Sequence, residues 1–127
     1  MADYTVLSVD DDKSARILYE LMLKRSGFEF VSAEDADEAL EILKDLTPDL
    51  ILCDIQLPGK NGIELVTELR ERANLDKTAI VVLSAFQSDT KIEDSKTAGA
   101  DEFYTKPLKM EGLADALIKL IQDRRSE

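Results

Sequence analysis

The sequence contains no histidine, a single cysteine and far fewer basic than acidic residues. Without histidine, this chain has no His-dependent catalytic triad, no His-ligated metal site and no phosphohistidine of its own. Cys53 cannot form an internal disulfide and lies in an apolar segment, so we expect it to pack in the core of a cytoplasmic protein. The net charge of −11 disfavours nucleic-acid binding through this chain, because such binding depends on basic patches.

The chain also lacks long hydrophobic runs. No apolar segment approaches the roughly 20 residues of a membrane-spanning helix, and the first residues lack the basic and apolar regions of a secretory signal. A hydrophobic content of 44% and a charged content of 34% are typical of a globular protein. We therefore expect residues 1–127 to form one domain that does not contact a membrane.

Five short apolar segments, at 6–9, 28–33, 50–53, 79–83 and 102–105, alternate with helical patterns. Strands that are apolar on both faces and alternate with helices favour a parallel sheet covered by helices on each side. The sequence thus predicts an α/β, three-layer (βα)5 fold of the flavodoxin-like type. Strand order 2-1-3-4-5 is the most economical arrangement of such units.

The spacing of apolar residues predicts which helix faces are buried. The predicted faces are Ala15, Leu18, Leu21 and Met22 in the first helix, Ile63, Val66, Leu69 and Ala73 in the third, and Met110, Leu113, Ala114, Leu117 and Ile121 in the last. Residues 88–97 are weaker, because Ile92 is their only large apolar residue, and we interpret them as a loosely held helix that ends at Gly99.

Polar side chains follow the predicted strands, namely Asp10 and Asp11, Asp54, Ser84 and Lys106. In a parallel sheet these strand ends lie along one edge. Each residue alone could cap a helix or occupy a turn, but together they are typical of phosphoryl transfer. Clustered carboxylates need a cation, for which Mg²⁺ or Mn²⁺ is suitable. A lysine and a hydroxyl suit an anion, and one aspartate could be a nucleophile.

These motifs together resemble those of response-regulator receiver domains, the CheY-like domains of two-component signalling. The resemblance covers almost the whole chain and is carried by Val9-Asp10-Asp11, by Asp54 with Pro58 and Gly62, by Leu83-Ser84-Ala85, and by Lys106-Pro107. It implies that Asp54 accepts a phosphoryl group from a sensor histidine kinase or a phosphotransfer protein. The chain would then act on a downstream effector protein, as a monomer or a phosphorylation-dependent dimer, rather than as a turnover enzyme.

The resemblance also implies the metal ligands. Asp11 and Asp54 would ligate Mg²⁺ directly, together with the backbone carbonyl of Gln56, and Asp10 would act through water. These four positions are the ones at which the motifs of this sequence match the metal site of the family.

Three further residues have roles implied by the family. Lys106 would bind one phosphoryl oxygen, and Ser84 would move to hydrogen-bond another. Phe103 occupies the aromatic switch position and would follow Ser84 inward, although phenylalanine has no hydroxyl for an output contact.

Two alternatives remain open from the sequence. A haloacid-dehalogenase-like phosphatase also uses an aspartate, Mg²⁺ and a lysine, and Asp10 would be its nucleophile. Against it, Lys13 stands where that family tends to have glycine, and the chain is short for a core with a cap. A pseudo-receiver would keep the fold as a binding module without the chemistry, but retention of every required residue argues against it.

Overall fold

The computed structural model describes residues 4–86, 88–109 and 111–126. Within these ranges five strands alternate with five α-helices. The strands are β1 (Thr5–Val9), β2 (Glu29–Ala33), β3 (Leu50–Asp54), β4 (Ala79–Ser84) and β5 (Glu102–Thr105), and the helices are α1 (Lys13–Arg25), α2 (Ala36–Ile42), α3 (Gly62–Arg70), α4 (Asp89–Ala98) and α5 (Leu113–Ser126). Among the described residues, no helix has both the length and the apolar character needed to cross a membrane.

The five strands form one parallel sheet in the order β2-β1-β3-β4-β5, which confirms the predicted topology. Val9 pairs with Cys53, and Asp54 pairs with Leu83. Ser84 pairs with Thr105 on the other side of β4. Because all strands run in the same direction, this register brings the polar residues that end β1, β3, β4 and β5 to the same edge of the sheet.

Helices cover both faces of the sheet. Residues such as Ile51 and Ile80 point into one apolar cluster, which α2, α3 and α4 cover. Alternate residues such as Leu52 and Val81 point into a second cluster, which α1 and α5 cover. Both β3 and β4 are buried along their whole length. Their near-continuous apolar sequence is therefore that of central strands packed on both sides.

The predicted buried face of α1 is wrong in part. Leu18 is 45% exposed and Leu21 is 61% exposed, whereas Tyr19, Met22 and Leu23 are buried. Apolar side chains lie around most of this helix, so the spacing of apolar residues is compatible with burial of either of two faces. The helix buries the face that carries an aromatic ring and Leu23, since these remove more apolar area from water.

The other helices agree more closely with the prediction. In α5, Leu113, Leu117 and Ile121 are buried, while Met110 lies outside the described residues. In α3 the helix ends at Arg70, and the predicted Ala73 lies in a following 3-10 turn. The buried set of α3 is Gly62, Leu65, Val66 and Leu69. Helix α4 has Ser95 as its one buried residue and ends at Gly99 with φ of +116°, as predicted for a weakly packed helix closed by glycine.

Candidate functional site

Asp54 is the last residue of β3, at the carboxyl edge of the sheet. Its side chain is buried, and its Oδ2 accepts a hydrogen bond of 2.8 Å from Lys106 Nζ. Its Oδ1 accepts one of 3.1 Å from the backbone N–H of Gln56. Burial raises the pKa of Asp54 above its usual value, while these two hydrogen bonds act in the opposite direction. Two hydrogen-bond donors therefore orient the Asp54 carboxylate at the carboxyl edge of the sheet.

Lys106 joins two of the carboxylates. Its Nζ also donates to Asp10 Oδ2 at 2.8 Å, and its backbone N–H donates to the carbonyl of Ser84 at 2.7 Å. Burial disfavours the ammonium, but the hydrogen bonds to Asp10 and Asp54 outweigh it and raise the pKa of Lys106. Lys106 thus stays charged at neutral pH and offsets one of the negative charges of the site.

Three carboxylates converge at this edge. Oxygen atoms of Asp10, Asp11 and Asp54 all lie within 4.8 Å of one another, with Asp10 and Asp54 buried and Asp11 exposed. With the charge of Lys106 included, the cluster retains about two negative charges, which fits a hard divalent cation held by oxygen ligands. Asp12 is separate from this set, because its Oδ1 accepts from Ser14 N and caps α1.

Gln56 offers its backbone rather than its side chain. Its side chain is exposed, and its N–H is bound to Asp54. Within the part of the chain that the structure describes, no backbone hydrogen bond ends on the Gln56 carbonyl. A free carbonyl oxygen two residues after Asp54 is available as a further hard ligand.

The start of α3 is packed directly against the backbone of Asp54. A Cβ at Gly62 would lie 2.1 Å from the Asp54 carbonyl oxygen and 2.8 Å from Ile55 Cα, so only glycine fits. The Gly62 N–H donates to the Ile55 carbonyl at 2.8 Å. Asn61 and Glu64 form a capping box that fixes the first turn of the helix. The sequence predicts Gly62 as part of the Asp54 motif, but residue type alone does not indicate this close approach to the Asp54 backbone.

Ser84 is the last residue of β4, at the same edge as the carboxylates, whereas Phe103 lies within β5 and pairs with Val82. Ser84 is fully buried, and its Oγ accepts a hydrogen bond of 3.2 Å from Phe86 N. Phe103 is 9% exposed and packs in the cluster under α3 and α4. The aromatic ring therefore already occupies an inward position in this structure.

Tyr19 of α1 is a residue that the sequence analysis did not place at the site. Only 3% of it is exposed, and burial raises the pKa of its phenol. The charges of Lys106, Asp10 and Asp54 also act on that pKa, which places the phenol within electrostatic reach of the site. Tyr19 lies on the same face of α1 as Met22 and Leu23. The sequence could have indicated its burial, but the predicted buried face was a different one.

The model of the response regulator receiver domain matches residues 6–118. The chain belongs to the response regulator receiver domain family. The phosphate regulon transcriptional regulatory protein PhoB of Pseudomonas aeruginosa is 37% identical over 108 residues, which cover 84% of this chain and 47% of PhoB. This receiver domain thus spans about half the length of the curated relative.

Solved structures agree with the family assignment. The chemotaxis protein CheY4 of Vibrio cholerae has a TM-score of 0.87 and 31% identity, over 94% of this chain and 99% of that one. The receiver domain of the Francisella response regulator 1452 has a TM-score of 0.85 and 28% identity, over 94% and 98% of the two chains. These matches favour a phosphorylation-dependent signalling domain over the phosphatase and the inert module.

Proposed function

We propose that this receiver domain accepts a phosphoryl group on Asp54 from the phosphohistidine of a sensor histidine kinase or a phosphotransfer protein. The observation that carries the proposal is the position of Lys106 Nζ, 2.8 Å from both Asp54 and Asp10 and beside the oxygen cluster that includes Asp11. Phosphoryl transfer requires a nucleophile close to a fixed positive charge and to oxygen ligands for a divalent metal. Asp54, Lys106 and the three clustered carboxylates supply these groups.

In the proposed step, an oxygen of Asp54 attacks phosphorus, and a P–O bond forms as the P–N bond of the donor breaks. The electron pair of the broken bond stays on nitrogen, and Asp54 becomes an acyl phosphate. Lys106 then offers its ammonium to one phosphoryl oxygen, and Ser84 turns its hydroxyl to donate to another. The protein assists its own phosphorylation and is not a turnover enzyme.

Asp11, Asp54 and the Gln56 carbonyl would hold Mg²⁺ or Mn²⁺ directly, with Asp10 acting through water. The bound cation would supply charge neutralisation for the phosphoryl oxygens as they approach the carboxylates. The convergence of the three carboxylates within 4.8 Å supports this assignment.

The proposed output is a change at the surface formed by α4, β5 and α5. Helix α4 is suited to repositioning because Ser95 is its one buried residue among those described. Phe103 packs beneath it and is already inward, so Ser84 rather than the ring would make the larger movement. We propose that residues 1–127 act as one cytoplasmic domain that controls an effector protein, as a monomer or a phosphorylation-dependent dimer, without nucleic acid or membrane contact through this domain.

Labelling with a radioactive phosphodonor in the presence of Mg²⁺ tests the nucleophile. We expect Asp54→Asn to lose the label, and Asp94→Asn, an exposed α4 substitution, to keep it as the control. Label that persists in Asp54→Asn and vanishes in Asp10→Asn would assign the chemistry to the phosphatase alternative.

Beryllofluoride with Mg²⁺, followed by NMR, tests whether the site is competent at all, since this ion mimics a phosphoryl group on aspartate. We expect shifts around Asp54, Ser84 and Lys106. A spectrum that does not change would identify an inert module instead.

A further inference from the structure

Arg16 of α1 reaches back to the end of β1. Its backbone N–H donates to the carbonyl of Asp12 at 3.1 Å, which closes the first turn of the helix. Side chains on a helix point toward its N-terminus, and the guanidinium follows this direction, because its Nη1 donates to the backbone carbonyl of Asp10. Arg16 therefore bonds to the peptide group that joins Asp10 to Asp11.

The Asp11 carboxylate depends on its backbone for its direction. Asp11 is exposed, and its carboxylate accepts no hydrogen bond from a residue that the structure describes. The backbone is held on both sides instead. Arg16 bonds to the carbonyl of the preceding peptide group, and the N–H of the following one, at Asp12, donates to Asp10 Oδ1 at 2.9 Å. These two bonds limit where the Asp11 oxygens can lie.

Arg16 adds a positive charge to this junction without covering a carboxylate. Within the described ranges, the Asp10 carbonyl is the one acceptor of the Arg16 guanidinium, which is partly buried. Lys106, in contrast, donates directly to the carboxylates of Asp10 and Asp54. A hydrogen bond from a charged donor is stronger than a neutral one, so Arg16 can fix the peptide group firmly while both Asp11 oxygens remain open.

We propose that Arg16 is a positioning residue of the divalent-cation site and that it directs the Asp11 carboxylate through the Asp10 carbonyl. This inference rests on the proposed cation ligands. Groups that orient the ligands of a metal without touching it typically contribute about 10- to 100-fold to metal affinity. Charge alone predicts the opposite effect, because removal of a positive charge near a cation site strengthens cation binding. The sign of the change in affinity therefore separates the two roles.

Titration with Mg²⁺, followed by NMR, tests this role in Arg16→Met. We expect the Kd for Mg²⁺ to rise at least about 10-fold. Lys13→Met is the matched control, since Lys13 is an exposed residue of the same helical turn whose side chain bonds to no described residue. It removes the same charge, so its Kd should stay the same or fall. Arg16→Lys keeps the charge and a donor, and its loss should be smaller than that of Arg16→Met.

Labelling of Asp54 by acetyl phosphate at several Mg²⁺ concentrations gives a second measurement. Arg16→Met should need at least about 10-fold more Mg²⁺ for half its maximal rate, while its rate at saturating Mg²⁺ should stay within about 2-fold of the unsubstituted chain. A contact that only ties α1 to β1 would lower the free energy of unfolding and leave the Mg²⁺ dependence unchanged. A slower rate that saturating Mg²⁺ does not restore would also overturn the inference.

An unchanged or lower Kd for Mg²⁺ in Arg16→Met would overturn the positioning role, as would an equal loss in Arg16→Lys or in Lys13→Met. If the unsubstituted chain binds Mg²⁺ and is labelled on Asp54, and Arg16→Met behaves like it, the role of Arg16 is wrong while the proposed function stands. If the unsubstituted chain neither binds Mg²⁺ nor takes up label, both are wrong.

Discussion

Replacement of Gly62 by alanine should damage the site through contact alone. Its Cβ would lie 2.1 Å from the Asp54 carbonyl oxygen, and all three of its nearest neighbours are backbone atoms, which no side-chain rotation can move. To reach ordinary contact, the start of α3 and the end of β3 must separate by about 1.3 Å. We expect the free energy of unfolding to fall by about 3 kcal/mol, the upper part of the usual overpacking range.

Gly59→Ala in the same loop is the matched control. A Cβ at Gly59 would meet nothing within 4 Å, but φ is +76°. That substitution should therefore cost only the left-handed backbone penalty of about 1 kcal/mol. Urea denaturation of both variants measures the difference. Equal stability losses would refute the steric argument, because the clash at Gly62 would then add nothing to the cost of the substitution.

Displacement of the end of β3 in Gly62→Ala should also lower the rate at which Asp54 is phosphorylated. A shift of about 1 Å in a reacting group can cost about 100-fold in rate, so folded Gly62→Ala should react with acetyl phosphate far more slowly than Gly59→Ala. Comparable labelling rates in the two variants would show that Asp54 is not held by the start of α3.

Three further predictions concern charges and caps. Lys106→Met removes an ammonium from the carboxylate cluster and should tighten Mg²⁺ binding about 10-fold, as expected for about 1.4 kcal/mol of relieved repulsion at this partly exposed position; an unchanged affinity in an NMR titration would contradict it. Arg70→Met leaves Gly99 O without its donor and removes the ion pair with Asp101, so thermal unfolding should show a loss of about 2–3 kcal/mol. Asn61→Ala removes the α3 cap and should cost about 1 kcal/mol, whereas Asn61→Asp should keep most of the stability; equal losses would exclude a capping role.

The sheet order and the layers could be predicted from the sequence because the alternation of strands and helices leaves few topologies. The same alternation explains why Asp10, Asp54 and Lys106 could be predicted to share an edge, and the structure brings them within hydrogen-bond distance. Their roles in phosphorylation remain predictions. The contact of Gly62 with Asp54 could not be predicted, because it depends on how closely a helix approaches a strand rather than on residue type.

The first helix shows where periodicity fails to predict the buried face. An apolar stripe predicts a buried face only if the opposite face is polar, but α1 carries Ile17, Leu18 and Leu21 on its exposed side. The choice between the two faces is then made by packing, and Tyr19 goes inward. Asp12 caps this helix, and Tyr19, two turns later, lines the same cavity as Lys106. The rotation of a single helix therefore decides both which of its side chains pack in the core and which of them line the cavity next to Lys106.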